Sequence, residues 1–181
     1  MLWQKTIQRL EQNKQWDIAI IFMEQVINEN SNDIDAYLSM NYLLMNLLVE
    51  EDYDENKHDY YESLIKKYFQ ESYAKFFNNP EYLFFTAITA CMSEWYFGIK
   101  EEDIDKMIYK AIGLDPDNIL YKWGFFIPLD KSDIANLNEM VFYTKKNLTN
   151  NFQIKNLLNL KGSLGKYLLN IISHISTRSL T

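Results

Sequence analysis

The chain has 181 residues, 48% of them apolar, which is enough for one domain with a substantial core, and its five glycines and three prolines leave little room for a many-turned β fold. A formal charge of −7 speaks against nucleic-acid binding, which needs a positive footprint for phosphates. The single cysteine, Cys91, cannot close an internal disulfide, and no run approaches the roughly 18 apolar residues of a membrane span.

Helical periodicity accounts for nearly all of the chain, so the expected fold class is all-α, within one domain over residues 1–181. The first segment is amphipathic and lacks the uninterrupted apolar stretch of a signal peptide; with no targeting segment visible, a cytoplasmic location is expected. Helices are predicted over residues 2–13, 15–29 and 33–48, the third following the candidate caps Asn32, Asp33 and Asp35. Residues 50–59 then read EEDYDENKHD, six acids against one lysine. Residues 49–80 form an acidic insertion followed by a long helix, predicted over 57–77 and rich in tyrosine.

Asn78, Asn79 and Pro80 mark a break and restart, since an asparagine can cap a helix whose first turn accepts proline. The next helices are predicted over 80–97, 101–113 and 117–126. In the second of these, Ile104, Ile108, Ala111 and Ile112 share one face. Pro116 pushes Asp115 out of helical geometry, and Asp117 or Asn118 can cap the third. Cys91 is expected to be a small core residue. Residues 128–181 supply C-terminal helices over 132–148, 152–160 and 163–176. The last carries Leu164, Tyr167, Leu168, Ile171, Ile172 and Ile175 as a nearly complete apolar stripe. Residues 150–181 hold four basic side chains and no acid. A basic amphipathic helix can engage a membrane or a partner helix, but its expected role is to cap the core of its own domain.

Residues 84–127 resemble a tetratricopeptide repeat, with Pro116 at the family's proline position, Ala111 at the small position closing the second helix, Ile108 at its large apolar position, and Ile88, Cys91 and Trp95 on the first helix. Met92 and Ile104 depart from it, because both stand where small residues let the helices approach. Residues 1–48 fit better: Trp3, Ile7, Leu10, Ala19, Met23 and Val26 fall on repeat positions, although Ser31 replaces the proline. The resemblance implies antiparallel hairpins stacked as a short solenoid. Its concave face would be lined by Asp35, Tyr42, Met45, Thr86, Thr89, Ser93 and Tyr96, and in the family such positions bind peptides or protein segments. These residues are not the basic clamp of chaperone-binding members.

Nothing in the sequence assembles a catalytic motif. There is no glycine-rich phosphate loop and no nucleophile elbow, so no enzyme activity and no cofactor are expected. His58 and His174 lack ligand spacing; the former reads as a surface residue and the latter as lying on the polar face of the last helix. The acidic run lacks the glycine and terminal glutamate of a calcium loop, so no metal is expected. Glu50, Glu51, Asp52, Tyr53, Asp54, Glu55, Asp59, Tyr60 and Tyr61 are the candidate partner-binding residues. Acids steer a basic protein, and the tyrosines beside them supply contact area, whereas the alternative is a solvated loop between two helices.

In size, acidity and degenerate repeats the chain resembles the small cytosolic immunity proteins that neutralise bacterial toxin domains, many of them basic nucleases. The resemblance implies a protein partner of basic character; the acidic charge excludes nucleic acid as the expected partner, and a membrane, reached through the last helix, is the weaker option. A generic repeat adaptor, or a small-molecule sensor or enzyme with a pocket between helices, is the alternative.

Overall fold

A computed structural model describes residues 2–130 and 132–179, and within them every regular element is helical. The elements are α1 (Leu2–Gln12), α2 (Trp16–Glu29), α3 (Ile34–Glu50), α4 (His58–Phe76), α5 (Pro80–Ala90), α6 (Glu101–Leu114), α7 (Ile119–Gly124), α8 (Ile134–Asn147), α9 (Phe152–Leu160) and α10 (Gly162–Thr177). Short 3-10 turns at Glu55–Lys57 and Glu94–Phe97 interrupt the series.

Capping by side chains sets many of the starts. The Asp33 carboxylate accepts from the Ala36 amide at 3.1 Å, Asn79 from Tyr82 at 2.9 Å with Pro80 in the first turn, and Asn118 from Leu120 and Tyr121. Asn151 does the same for α9. Each cap satisfies amide donors that the helix itself cannot.

Two helices form the centre. α3 buries eleven of its side chains and α5 buries Tyr82 through Ala90 without a break. A helix apolar on all sides must be enclosed on all sides. α3 packs on α2, α4, α5 and α10, while α5 packs on α3 and α6. Consecutive helices α1 and α2, α3 and α4, α5 and α6, and α9 and α10 also pack together. One apolar cluster runs from Ile7 through all ten helices to Ile175.

α10 lies against α3, α8 and α9 and touches α1. Of its predicted stripe, Leu164, Leu168, Ile172 and Ile175 are buried, while Tyr167 and Ile171 stay half-buried. The approach of α9 and α10 is close at Gly165, where a Cβ would sit 1.7 Å from the Leu158 carbonyl oxygen. A lysine fastens the joint. Lys161, between the two helices and only 5% exposed in its side chain, pairs at 2.5 Å with Asp35 in the first turn of α3 and with Glu81 in the first turn of α5. Its ammonium also lies 5.4 Å from the centre of the Phe85 ring.

The helix expected over 80–97 ends at Ala90. Ser93 is extended, at φ −173° and ψ 93°, and Gly98 takes the left-handed region at φ 71°, so residues 94–97 form a 3-10 turn instead. The packing reason is Phe97, which is buried and meets Phe69 edge-on at 4.9 Å. A continuous helix in the expected register pointed Trp95 inward; the turn carries Phe97 inward and leaves Trp95 61% exposed. Cys91, expected in the core, is exposed because it follows the last turn of α5.

Candidate functional site

The acidic segment leaves α3 at Glu50 and re-enters a helix at His58. Between them the chain is pinned at both ends. Asp54 accepts from the Asn56 amide and starts the 3-10 turn, and Glu51 pairs with Lys14 at 2.8 Å across the α1–α2 turn. Lys57 reaches back to Asp17 on α2 at 2.5 Å. The Tyr61 hydroxyl donates to the other oxygen of the same carboxylate at 2.9 Å. Hydrogen bonding from Lys57, aided by Tyr61, holds the Asp17 carboxyl below its ordinary value. Burial and the adjoining Asp17 push the Tyr61 hydroxyl upward, so it remains a donor.

An unbroken series of ring contacts crosses this surface. Trp95 meets Tyr96 at 5.7 Å, Tyr96 meets His58 at 5.9 Å, and His58 stacks on Tyr53 at 6.2 Å with 16° between the planes. Tyr53 meets Tyr61 edge-on at 5.5 Å, and Tyr61 meets Tyr60 at 5.6 Å. The Tyr53 hydroxyl and His58 Nδ1 are 2.7 Å apart in a hydrogen bond. His58 is therefore a half-buried link between two tyrosines, where the sequence suggested a plain surface residue. The ends of the series are open: Tyr60 is 49% and Trp95 61% exposed.

Around these rings stand exposed acids. Glu50, Asp52, Asp54, Glu55 and Asp59 are all on the surface, and Glu94 is partly exposed beside Trp95. Among the described residues, Glu50, Asp52, Glu55 and Asp59 make no ion pair within 4.0 Å, whereas Glu51 is engaged by Lys14. The nine candidate residues thus divide by role. Tyr61, Tyr53, Asp54 and Glu51 build the loop, and Tyr60 with the remaining acids faces solvent.

The second set does not form an open face. Met45, Thr86, Thr89 and Ser93 are buried, Tyr42 is buried with its ring 5.7 Å from Tyr167 of α10, and Asp35 is bound to Lys161. α10 lies against α3, the helix that carries Asp35, Tyr42 and Met45. Tyr96 alone belongs with a surface, and it is the acidic one, through His58. Trp95, His58, Asp17 and Lys57 were missed as contributors. The sequence held one usable signal, the Glu94-Trp-Tyr-Phe-Gly98 run, in which a glycine ends an aromatic cluster.

Among the described residues no three of His, Cys, Asp and Glu are grouped so as to hold a metal ion, and no helix is long and apolar enough to cross a membrane. Comparison of the chain with protein-family models, with curated proteins and with solved structures finds no match.

Proposed function

We propose that the chain is a non-enzymatic protein-binding module that docks a basic partner on the surface running from Tyr60 to Trp95, in the manner of an immunity protein neutralising a toxin domain. The observation that carries this reading is the aromatic series, fixed from below by Asp17 and Phe97 and rimmed by acids that make no ion pair among the described residues. Rigid aromatic side chains supply contact area at small entropic cost, and unpaired acids raise the rate of encounter with a cationic surface. The paired helices of α1 to α6 act in this reading as a repeat-like scaffold, closed by α10 so that binding moves from the concave side to the loop edge. A cytoplasmic setting belongs to the same reading.

The test is isolation of a stoichiometric partner from the native host, followed by expression of that partner alone and together with this chain. A basic partner that is toxic alone and harmless together supports the proposal. Affinity should then fall as salt rises, and Trp95→Ala should weaken binding by more than about 1 kcal/mol. An acidic partner, or one whose binding is indifferent to both Trp95→Ala and Tyr60→Ala, sinks it.

A further inference from the structure

Outside that surface, a concavity lies where α5, α7, α8 and α10 fail to close completely. It encloses about 230 Å³ and is lined by Ile88, Trp123, Met140, Tyr167, Ile171 and Ile175, with Arg178 at its edge. The wall is largely apolar, with Cys91 and Tyr167 also on it. The Trp123 indole N–H, the most obvious polar group on it, is already donated to Thr144 Oγ1 at 2.9 Å. Tyr167 and Ile171, the two stripe residues that α10 leaves half-buried, both face this space.

The edge is cationic. Arg178 follows α10 directly; its guanidinium lies 3.3 Å from His174 Nε2, and its carbonyl oxygen accepts from Lys145 Nζ at 2.7 Å. Among the described residues no carboxylate pairs with Arg178 or Lys145 within 4.0 Å. Residues 150–181 contain no acid at all. An apolar chamber with a guanidinium at its lip is complementary to a chain-like molecule ending in one negative charge. Size sets the length: at roughly 30 Å³ per water-sized group, 230 Å³ accommodates about eight chain atoms.

We propose that this cleft binds a medium-chain monocarboxylate, with its acyl chain between α5 and α10 and its carboxylate on Arg178. The inference is independent of the protein-binding surface, which lies on other residues.

Titration calorimetry of the full chain with sodium butanoate, hexanoate, octanoate and decanoate tests it. Affinity should rise about fourfold per methylene and level off near eight carbons, with one site per chain. Arg178→Ala should weaken octanoate about tenfold and leave octan-1-ol unchanged. Ile171→Trp, which fills the chamber, should abolish both, with a circular dichroism melt establishing that the variant is folded. Three results overturn the proposal: no saturable binding at any chain length, affinity that climbs through decanoate without levelling as adsorption would, or octanoate binding indifferent to Arg178→Ala. The chain-length series needs no variant, so the test stands even if Ile171→Trp does not fold.

Discussion

The joint around Lys161 and the surface around Tyr60 use the same materials, carboxylates, a lysine and aromatic rings, in opposite states of completion. At the joint one ammonium is shared by Asp35 and Glu81 beneath the Phe85 ring, and its side chain is 5% exposed. At the surface the lysines are outnumbered: Lys14 and Lys57 each hold one carboxylate, and among the described residues Glu50, Asp52, Glu55 and Asp59 make no ion pair. The difference lies in who supplies the counter-charge. Where the fold supplies it, the cluster is a fastening; where it does not, a partner can. The contrast also separates a stability role from a binding role, which makes it breakable by substitution.

The largest effect should come from the joint. Lys161→Ala leaves two carboxylates facing each other at helix starts with no cation between them. Removing one member of a buried pair typically costs about 3–5 kcal/mol, and the partial exposure of Asp35 and Glu81 reduces that to about 2–3. Denaturant unfolding should show the loss, and Asp35→Asn with Glu81→Gln in the same chain should recover part of it. Full recovery without loss of α10 protection in hydrogen exchange would show that the ions are dispensable to the closure; no initial loss would refute the fastening.

At the surface the same logic predicts a split between adjoining tyrosines. Tyr61→Phe removes a part-buried hydroxyl that donates to the Asp17 carboxylate and should cost about 1 kcal/mol of stability. Tyr60→Ala, one residue away and 49% exposed, should change stability by no more than about 0.5 kcal/mol. Equal losses at both positions would erase the distinction between the residues that build the loop and those that face outward.

What was legible in the sequence is local, and what was hidden is long-range. Asn79-Pro80 and Asn118 announce helix starts because a cap and the amide it satisfies are within three residues of one another. The all-helical class comes from periodicity in the same local way. The end of α5 was hidden because Met92, Trp95 and Tyr96 continue an apolar pattern, while the deciding contact, Phe97 on Phe69, joins positions 28 apart in the sequence. Closure by α10 was half legible. The stripe from Leu164 to Ile175 demanded a surface to cover, but nothing near it named α3, since Lys161 and Asp35 are 126 residues apart. For the surface, the acids and tyrosines of residues 50–61 were evident from composition, whereas their continuation into Tyr96 and Trp95 depended on where His58 came to rest.

The smallest effect tests whether the surface is anchored through Asp17 as the geometry implies. Its carboxyl is held below the ordinary value of 3.8, first by Lys57 and then by Tyr61, so the folded state favours its charged form more than the unfolded chain does. A depressed carboxyl contributes stability that is present in full above the unfolded value and is lost as pH falls through the folded one. Asp17→Asn should therefore be less stable than the parent at neutral pH, and the gap should narrow as pH falls below about 4. Asp17 is 52% exposed in its side chain, and solvent screening keeps the gap under about 1 kcal/mol. Measuring the difference between the two chains cancels carboxyls they share. A gap that stays constant from pH 6 down to about 2 would mean that Asp17 contributes by packing rather than as a charged acceptor.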